Sequence, residues 1–223
     1  MHRVALRPGI VERVTARRGR LHLYEALDAR KTALLIIDMQ NAFVAPGAPI
    51  EVAAARAIVP AINRLAAALR ARTVPVVWVL HENAPGGTDW HGFFDVFVRP
   101  ENRSRAAQAL SCGNPLQQLW PELDAQPSDI RVTKNRYSAF MGHGAVRKIL
   151  EERGIDTLLI AGTKTNVCCE CTARDAMMLD YKVVLLSDCT AALSDEEHLA
   201  TLENVIQQFG DVLTADEALA LLK

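Results

Sequence analysis

Short, unbroken runs of Val, Ile and Leu recur along this chain, separated by longer stretches in which apolar residues return every three or four positions. A strand covered on both faces reads as a continuous apolar run rather than an alternating one, and the amphipathic stretches between such runs have the length of crossover helices. The pattern therefore predicts an α/β protein with a parallel sheet. Strands are expected at 33–37, 75–80, 130–133, 157–161 and 183–187, with a short one at 211–213. Helices are expected at 51–71, with Pro60 as a break or kink, and at 144–154, stopped by Gly154. A third is expected at 194–210, with Ser194 or Asp195 as N-cap and Gly210 as its end. The stretch 82–104, rich in Pro, Gly and aromatic residues, reads as one long irregular lid or substrate-binding loop.

Length and charge narrow the reading. With 223 residues, half of them hydrophobic, the chain has enough material for one full core. The expected division is an N-terminal arm at 1–28 and one domain at 29–223. The arm is rich in arginine, which suits a transit peptide or a phosphate-binding segment. Glu12 and the interleaved Val11, Val14, Leu21, Leu23 and Tyr24 favour instead an ordered arm packed on the body or on a neighbouring subunit. A formal net charge of -1 gives no pull toward nucleic acid or an anionic membrane. The partners expected are a small-molecule substrate and further copies of the chain, as a homodimer or higher homo-oligomer. No apolar run approaches the roughly 20 residues that span a bilayer, and the first residues lack the apolar centre of a secretory signal, so a cytoplasmic protein is expected. Five cysteines, two of them adjacent, make a poor disulfide framework and suit reduced thiols.

In an open parallel sheet, ligands bind beyond the carboxyl ends of the strands, where strand order reverses. Asp38 closes "ALLIIDMQ", Lys134 closes "IRVTK", and Cys168 follows "TLLIAGTKTNV". Each alone has an ordinary explanation: Asp38 as a turn residue, Lys134 as a solvated strand end, Cys168 as small core filler. Together they put a carboxylate, an ammonium and a thiol where one pocket is expected. Cys168 also falls in the first turn of a helix that Thr165 or Asn166 would cap, a position that favours a thiolate. Cys169 and Cys171 lie further along and read as helix packing. Three thiols at such spacing on one helix point in different directions, which disfavours zinc. Cys168 and Cys171 also form C-x-x-C, so a redox pair is a rival reading.

"LLIIDMQNAF", "KNRYSAF" and "GTKTNVCCECTARDA", in this order, resemble the isochorismatase-like cysteine hydrolases, a superfamily that includes nicotinamidases, ureidoacrylate and biuret amidohydrolases, N-carbamoylsarcosine amidase and isochorismatases. The resemblance runs from about residue 30 to the C-terminus, and "DMQNAF" with "RYSAF" is most like the ureidoacrylate amidohydrolase and isochorismatase branches. It implies a three-layer α/β/α, Rossmann-like fold on a six-stranded parallel sheet of order 3-2-1-4-5-6. It also implies a catalytic triad of Asp38, Lys134 and Cys168, a cis peptide at Thr163–Lys164, and an oxyanion hole from the backbone N–H groups of Lys164 and Cys168.

The reaction implied is C–N cleavage of a small amide or ureide through an acyl- or carbamoyl-cysteine, without cofactor. Isochorismatases lack the thiol and cleave a vinyl ether by acid assistance; here the thiol is present, and vinyl-ether hydrolysis is the alternative. A non-catalytic, redox-sensing member using Cys168 and Cys171 is a further one. Nicotinamidases carry histidines around a metal after the first strand, whereas "MQNAFVAPGAPIEV" has none, so no metal is expected. Candidate substrate contacts are Asn41, Phe43, His81, Trp90, Phe93, Arg136 and Tyr137, with Arg136 or His81 set to meet a carboxylate. His91 reads as a substrate contact or a surface group.

Overall fold

The computed structural model describes residues 2–142 and 145–223. Six parallel strands form one sheet: β1 (Thr32–Ile37), β2 (Val76–His81), β3 (Ile130–Lys134), β4 (Thr157–Thr163), β5 (Lys182–Ala191) and β6 (Asp211–Leu213), in the order β3-β2-β1-β4-β5-β6. The strands at the centre are buried on both sides, as their continuous apolar runs require: every residue of β1, β2 and β4 is buried. Alternate residues of β1 face opposite layers. Leu34 and Ile36 join one core with helix α3 (Ala55–Arg70), the short α2 (Asn41–Val44) and α9 (Ala215–Leu221). Ala33, Leu35 and Ile37 join the other with α6 (Ala145–Glu152), α7 (Glu170–Met178) and α8 (Asp195–Asn204). The chain winds from β1 through β2 to β3 on one side and from β4 through β5 to β6 on the other. The crevice at the carboxyl ends of β1 and β4 is thus the switch point.

Several elements differ from expectation in their limits. Strand β5 runs on to Ala191, because a register shift against β4 between Ile160 and Gly162 lets pairing resume at Gly162–Thr190. Helix α3 starts at Ala55 rather than residue 51 and passes through Pro60 without ending. Pro60 is on the exposed face, where the Arg56 carbonyl it leaves unbonded can be hydrated. The expected first residue of α6, Gly144, lies outside the described residues. Stretch 82–104 is not one irregular loop: it holds a tight turn at Pro85–Gly87, helix α4 (His91–Phe94) and the start of α5 (Pro100–Ala109). Ser194 caps α8, accepting from Glu197 N–H at 3.2 Å, and the helix relaxes into a π-turn at Val205–Phe209 before Gly210.

The N-terminal arm packs on the body. It forms helix α1 (Pro8–Arg18), which buries Val14 in the second core, while Arg7 pairs with the buried Glu203. Further on, Leu27 pairs with Leu222, and Leu23 N–H donates to Asp211 at 2.6 Å. No helix among the described residues is long and apolar enough to cross a membrane.

Candidate active site

Strand β1 ends at Ile37, and Asp38 turns the chain in a left-handed conformation, φ 54°, that aspartate tolerates better than most residues. Its N–H is held by Val79 O at 2.9 Å, which keeps the backbone in the sheet while the carboxylate is buried. Across the switch point, Gly162 stands in register with Ile37 at φ 111°. A Cβ there would lie 2.0 Å from Ile37 O, so only glycine lets the two strand ends approach. One residue on, the Thr163–Lys164 bond is cis.

Lys134, the last residue of β3, is fully buried beneath the crevice. Its Nζ donates to Asp38 Oδ2 at 2.8 Å and to Arg136 O at 3.0 Å, and stands 3.3 Å from His81 Nδ1, so each of its protons faces an acceptor. His81 Nε2 lies 2.9 Å from Asn83 Oδ1, which makes Nε2 the donor and Nδ1 the acceptor in a neutral ring. Burial, and then the Lys134 charge, hold the His81 pKa well below the ordinary imidazole value. Burial also disfavours the Lys134 charge, but the Asp38 carboxylate opposes it, and the Lys134 pKa lies above the ordinary lysine value. Asp38 is pushed above the ordinary carboxylate value by burial, against the opposing pull of Lys134. Its Oδ1 is buried and accepts no hydrogen bond among the described residues.

Cys168 lies in a π-turn, Thr165–Cys169, that runs into α7. Neither expected cap acts as one: Lys164 is the N-cap residue without a side-chain bond, and the Thr165 hydroxyl is 2.9 Å from His198 Nδ1 instead. The thiol is not favoured as a thiolate either. Burial first, then the negative charge of Asp38, raise its pKa, and Lys134 opposes them only in part, so the resting group is a neutral thiol beside a carboxylate. Thr172, one turn on, donates to Cys168 O at 2.7 Å and accepts from Ala139 N–H at 3.1 Å, tying the thiol-bearing turn to the segment after β3. Cys169 is buried in the second core with its Sγ toward Ala161 O; Cys171 is half-buried and does not line the cavity.

A cavity of about 420 Å³ opens on Cys168. Of the sequence candidates, Phe43, His81, Trp90, Phe93 and Tyr137 line it, the last three in mutual aromatic contact, with the Trp90 centroid 4.9 Å from Phe93 and 4.7 Å from Tyr137. Asn41 and Arg136 do not line it. The Asn41 Nδ2 donates to Pro115 O at 2.8 Å, while its buried Oδ1 accepts no hydrogen bond among the described residues. Arg136 donates to Asn135 O at 2.7 Å and Asp89 O at 2.8 Å and lies over the Trp90 ring, so it holds the aromatic wall rather than a ligand. His91 is a surface group facing Asp95 at 3.2 Å.

Sequence reading missed several supports of the site. Gln40 bridges the ends of β1 and β2, accepting from His81 N–H at 2.8 Å and donating to His81 O at 2.9 Å and Gln117 O at 2.7 Å. Asn83 fixes the His81 tautomer, and Asn135 donates to Asp89 at 2.8 Å. Arg105 and Asn102 enter the cavity wall from α5. Of these, only the proximity of Gln40 to Asp38 in "DMQ" was a signal; the rest depend on loops folding back. Among the described residues no group of three His, Cys, Asp or Glu side chains is arranged to hold a metal ion.

The isochorismatase domain model matches residues 32–217, which spans the whole sheet. The chain belongs to the isochorismatase family. Its membership makes it a hydrolase on a fold that many solved structures of the family share. A cysteine hydrolase from Pseudomonas syringae pv. phaseolicola is 31% identical with a TM-score of 0.81, covering 90% of this chain and 95% of that one. The nicotinamidase PncA from Bacillus subtilis is 26% identical with a TM-score of 0.69, covering 82% of this chain and 99% of that one. In sequence, the ureidoacrylate amidohydrolase RutB of Pseudomonas syringae pv. syringae is 34% identical over 201 residues, covering 84% of this chain and 82% of its own length.

Proposed function

We propose that this isochorismatase-family hydrolase cleaves a C–N bond of a small amide or ureide, with Cys168 as nucleophile and Asp38 as the group that moves the protons. The observation that carries this reading is a single juxtaposition: a neutral thiol at the cavity surface beside a buried carboxylate that Lys134 holds at 2.8 Å. The similarity to ureidoacrylate amidohydrolases supports the substrate class.

The steps follow from the residues. Asp38 takes the thiol proton as sulfur adds to the carbonyl carbon, and the carbonyl π electrons move to oxygen. The backbone N–H groups of Lys164 and Cys168 receive that oxyanion. Asp38 returns the proton to the leaving nitrogen as the C–N bond breaks, which leaves an acyl- or carbamoyl-cysteine. It then takes a proton from water as the hydroxyl adds, and gives it back to sulfur as the C–S bond breaks. A raised carboxyl pKa suits this shuttling, because a stronger base removes a thiol proton more readily. Lys134 keeps the carboxylate aimed and charged between steps.

A single-turnover reaction, quenched in acid and read by intact mass, is expected to show an adduct on the peptide holding Cys168 before free product appears. Cys168→Ala should abolish turnover, with Cys169→Ala and Cys171→Ala retaining most of it. Product without adduct, at unchanged rate after alkylation of Cys168, would replace this reading with acid-assisted vinyl-ether hydrolysis. Equal losses in all three cysteine variants would rule out a single nucleophile and favour a redox or metal role for the cysteines.

A further inference from the structure

The cavity has a charge that thiol chemistry does not require. Arg105 and Lys164 line it, and among the described residues no aspartate or glutamate does. The carboxylate beside the nucleophile, Asp38, is fully buried and its charge is paired with Lys134. A concave site with cations at its surface and no exposed acid attracts anions.

The two cations differ in what positions them. Lys164 is the residue between the cis bond and the turn that carries Cys168, so its place is bound up with the nucleophile. Arg105 comes from α5, a separate element. On that helix Arg103 is already committed, paired with Asp95 and donating to Gly86 O at 3.0 Å. Arg105 has no carboxylate partner among the described residues. Its one hydrogen bond is a long one, 3.3 Å from Nη2 to Asn102 Oδ1, and Asn102 lines the same cavity. A guanidinium has five N–H donors in a planar fork that matches a carboxylate; this one is solvent-exposed where it lines the cavity, with that single bond to protein among the described residues. The wall beyond is apolar and largely aromatic, with Phe43, Trp90, Phe93 and Leu110 among its members.

We infer that Arg105 is a specificity-determining residue that takes a carboxylate of the substrate, so that the substrate is an anionic amide or ureide whose carboxylate and scissile carbonyl are joined by a flat, apolar frame. The position of the scissile carbonyl rests on the reaction proposed above; the carboxylate site does not.

Binding to the full-length Cys168→Ala protein tests it without turnover. Two matched pairs serve as probes: fumaric acid monoamide against fumaramide, and terephthalic acid monoamide against terephthalamide, each measured by calorimetry at low and moderate salt. The monoanion of at least one pair is expected to bind tenfold or more tightly than its diamide. Adding Arg105→Ala should remove that preference while leaving the diamide within twofold, Arg105→Lys should restore part of it, and raised salt should reduce it. A preference that survives Arg105→Ala, or equal or undetectable binding of both members of both pairs, overturns the inference. If the preference depends on Arg105 but no Cys168 adduct forms in the wild-type reaction, the carboxylate site stands and the nucleophilic reading falls. If the adduct forms and the preference ignores Arg105, the reverse holds.

Discussion

Lys134 and Asp38 are each useful only because the other is there. A buried ammonium and a buried carboxylate lose several kcal/mol of hydration apiece, and their mutual attraction offsets this only with good geometry, here 2.8 Å and with both side chains almost fully out of solvent. Removing one partner strands the other. Lys134→Met is expected to destabilise the protein by about 3–5 kcal/mol, Asp38→Asn by a comparable amount, and the double variant by much less than their sum. Urea denaturation of the four proteins measures this, and strict additivity would mean that the two groups do not form an energetic pair. These two residues and Cys168 were legible in the sequence because each sits at, or within a few residues after, the end of an apolar strand, where the fold class places a ligand. Asn41 and Arg136 are also next to strand ends, but the Asn41 amide donates to Pro115 O and the Arg136 guanidinium to Asp89 O, and neither lines the cavity. Arg105 lies just past the stretch read as loop, in a helix that the sequence pattern did not predict, and nothing in its neighbours marks which of several arginines faces inward.

Among the elements, the contact between β1 and β4 sets the site, and it depends on one residue without a side chain. Gly162→Ala would place a methyl 2.0 Å from Ile37 O and 2.6 Å from Ile37 N, at a φ of 111° that L residues rarely adopt. The strands would have to part, carrying Asp38 away from Cys168. We expect a loss of more than about 3 kcal/mol in stability and of measurable turnover. Gly154→Ala is the matched control: its φ of 63° is also left-handed, but nothing lies within 4 Å of the added carbon. That change should cost only about 1 kcal/mol and leave kcat unaltered. Similar midpoints for the two variants in a denaturant titration would refute the close-approach argument. The strands themselves were read within one or two residues at most ends, since burial on both faces writes a continuous apolar run. The far end of β5 was not, because the register shift that prolongs it comes from its partner strand and leaves no mark in its own composition.

Over the whole molecule, the arm and the site meet at His198. It is 1% exposed, its Nδ1 faces the Thr165 hydroxyl at 2.9 Å, and its ring stacks on that of His2 at 4.3 Å. Burial, and then the neighbouring His2, depress its pKa to about 4. The sign follows directly. Above the unfolded value of about 6.5 both states are neutral; as pH falls toward 4 the unfolded chain takes up a proton that the folded one refuses, so stability falls with pH in that window. The expected loss between pH 7 and pH 5 is about 2 kcal/mol from this residue, with His81 acting in the same direction. Urea denaturation at the two pH values checks it: His198→Gln should shrink the difference, and an unchanged difference would mean that His198 titrates normally. What the sequence by itself determined was the parallel α/β class, the helix stops at Gly154 and Gly210, and the strand-end placing of the carboxylate, ammonium and thiol, since all of these follow from periodicity and local chain chemistry. Only the tertiary structure decided that the thiol rests neutral, that α5 rather than the segment after β3 brings an arginine to the cavity, and that the arm reaches Thr165 through His198. Desolvation, side-chain direction and contacts between distant segments arise when the chain closes on itself, and no local pattern encodes them.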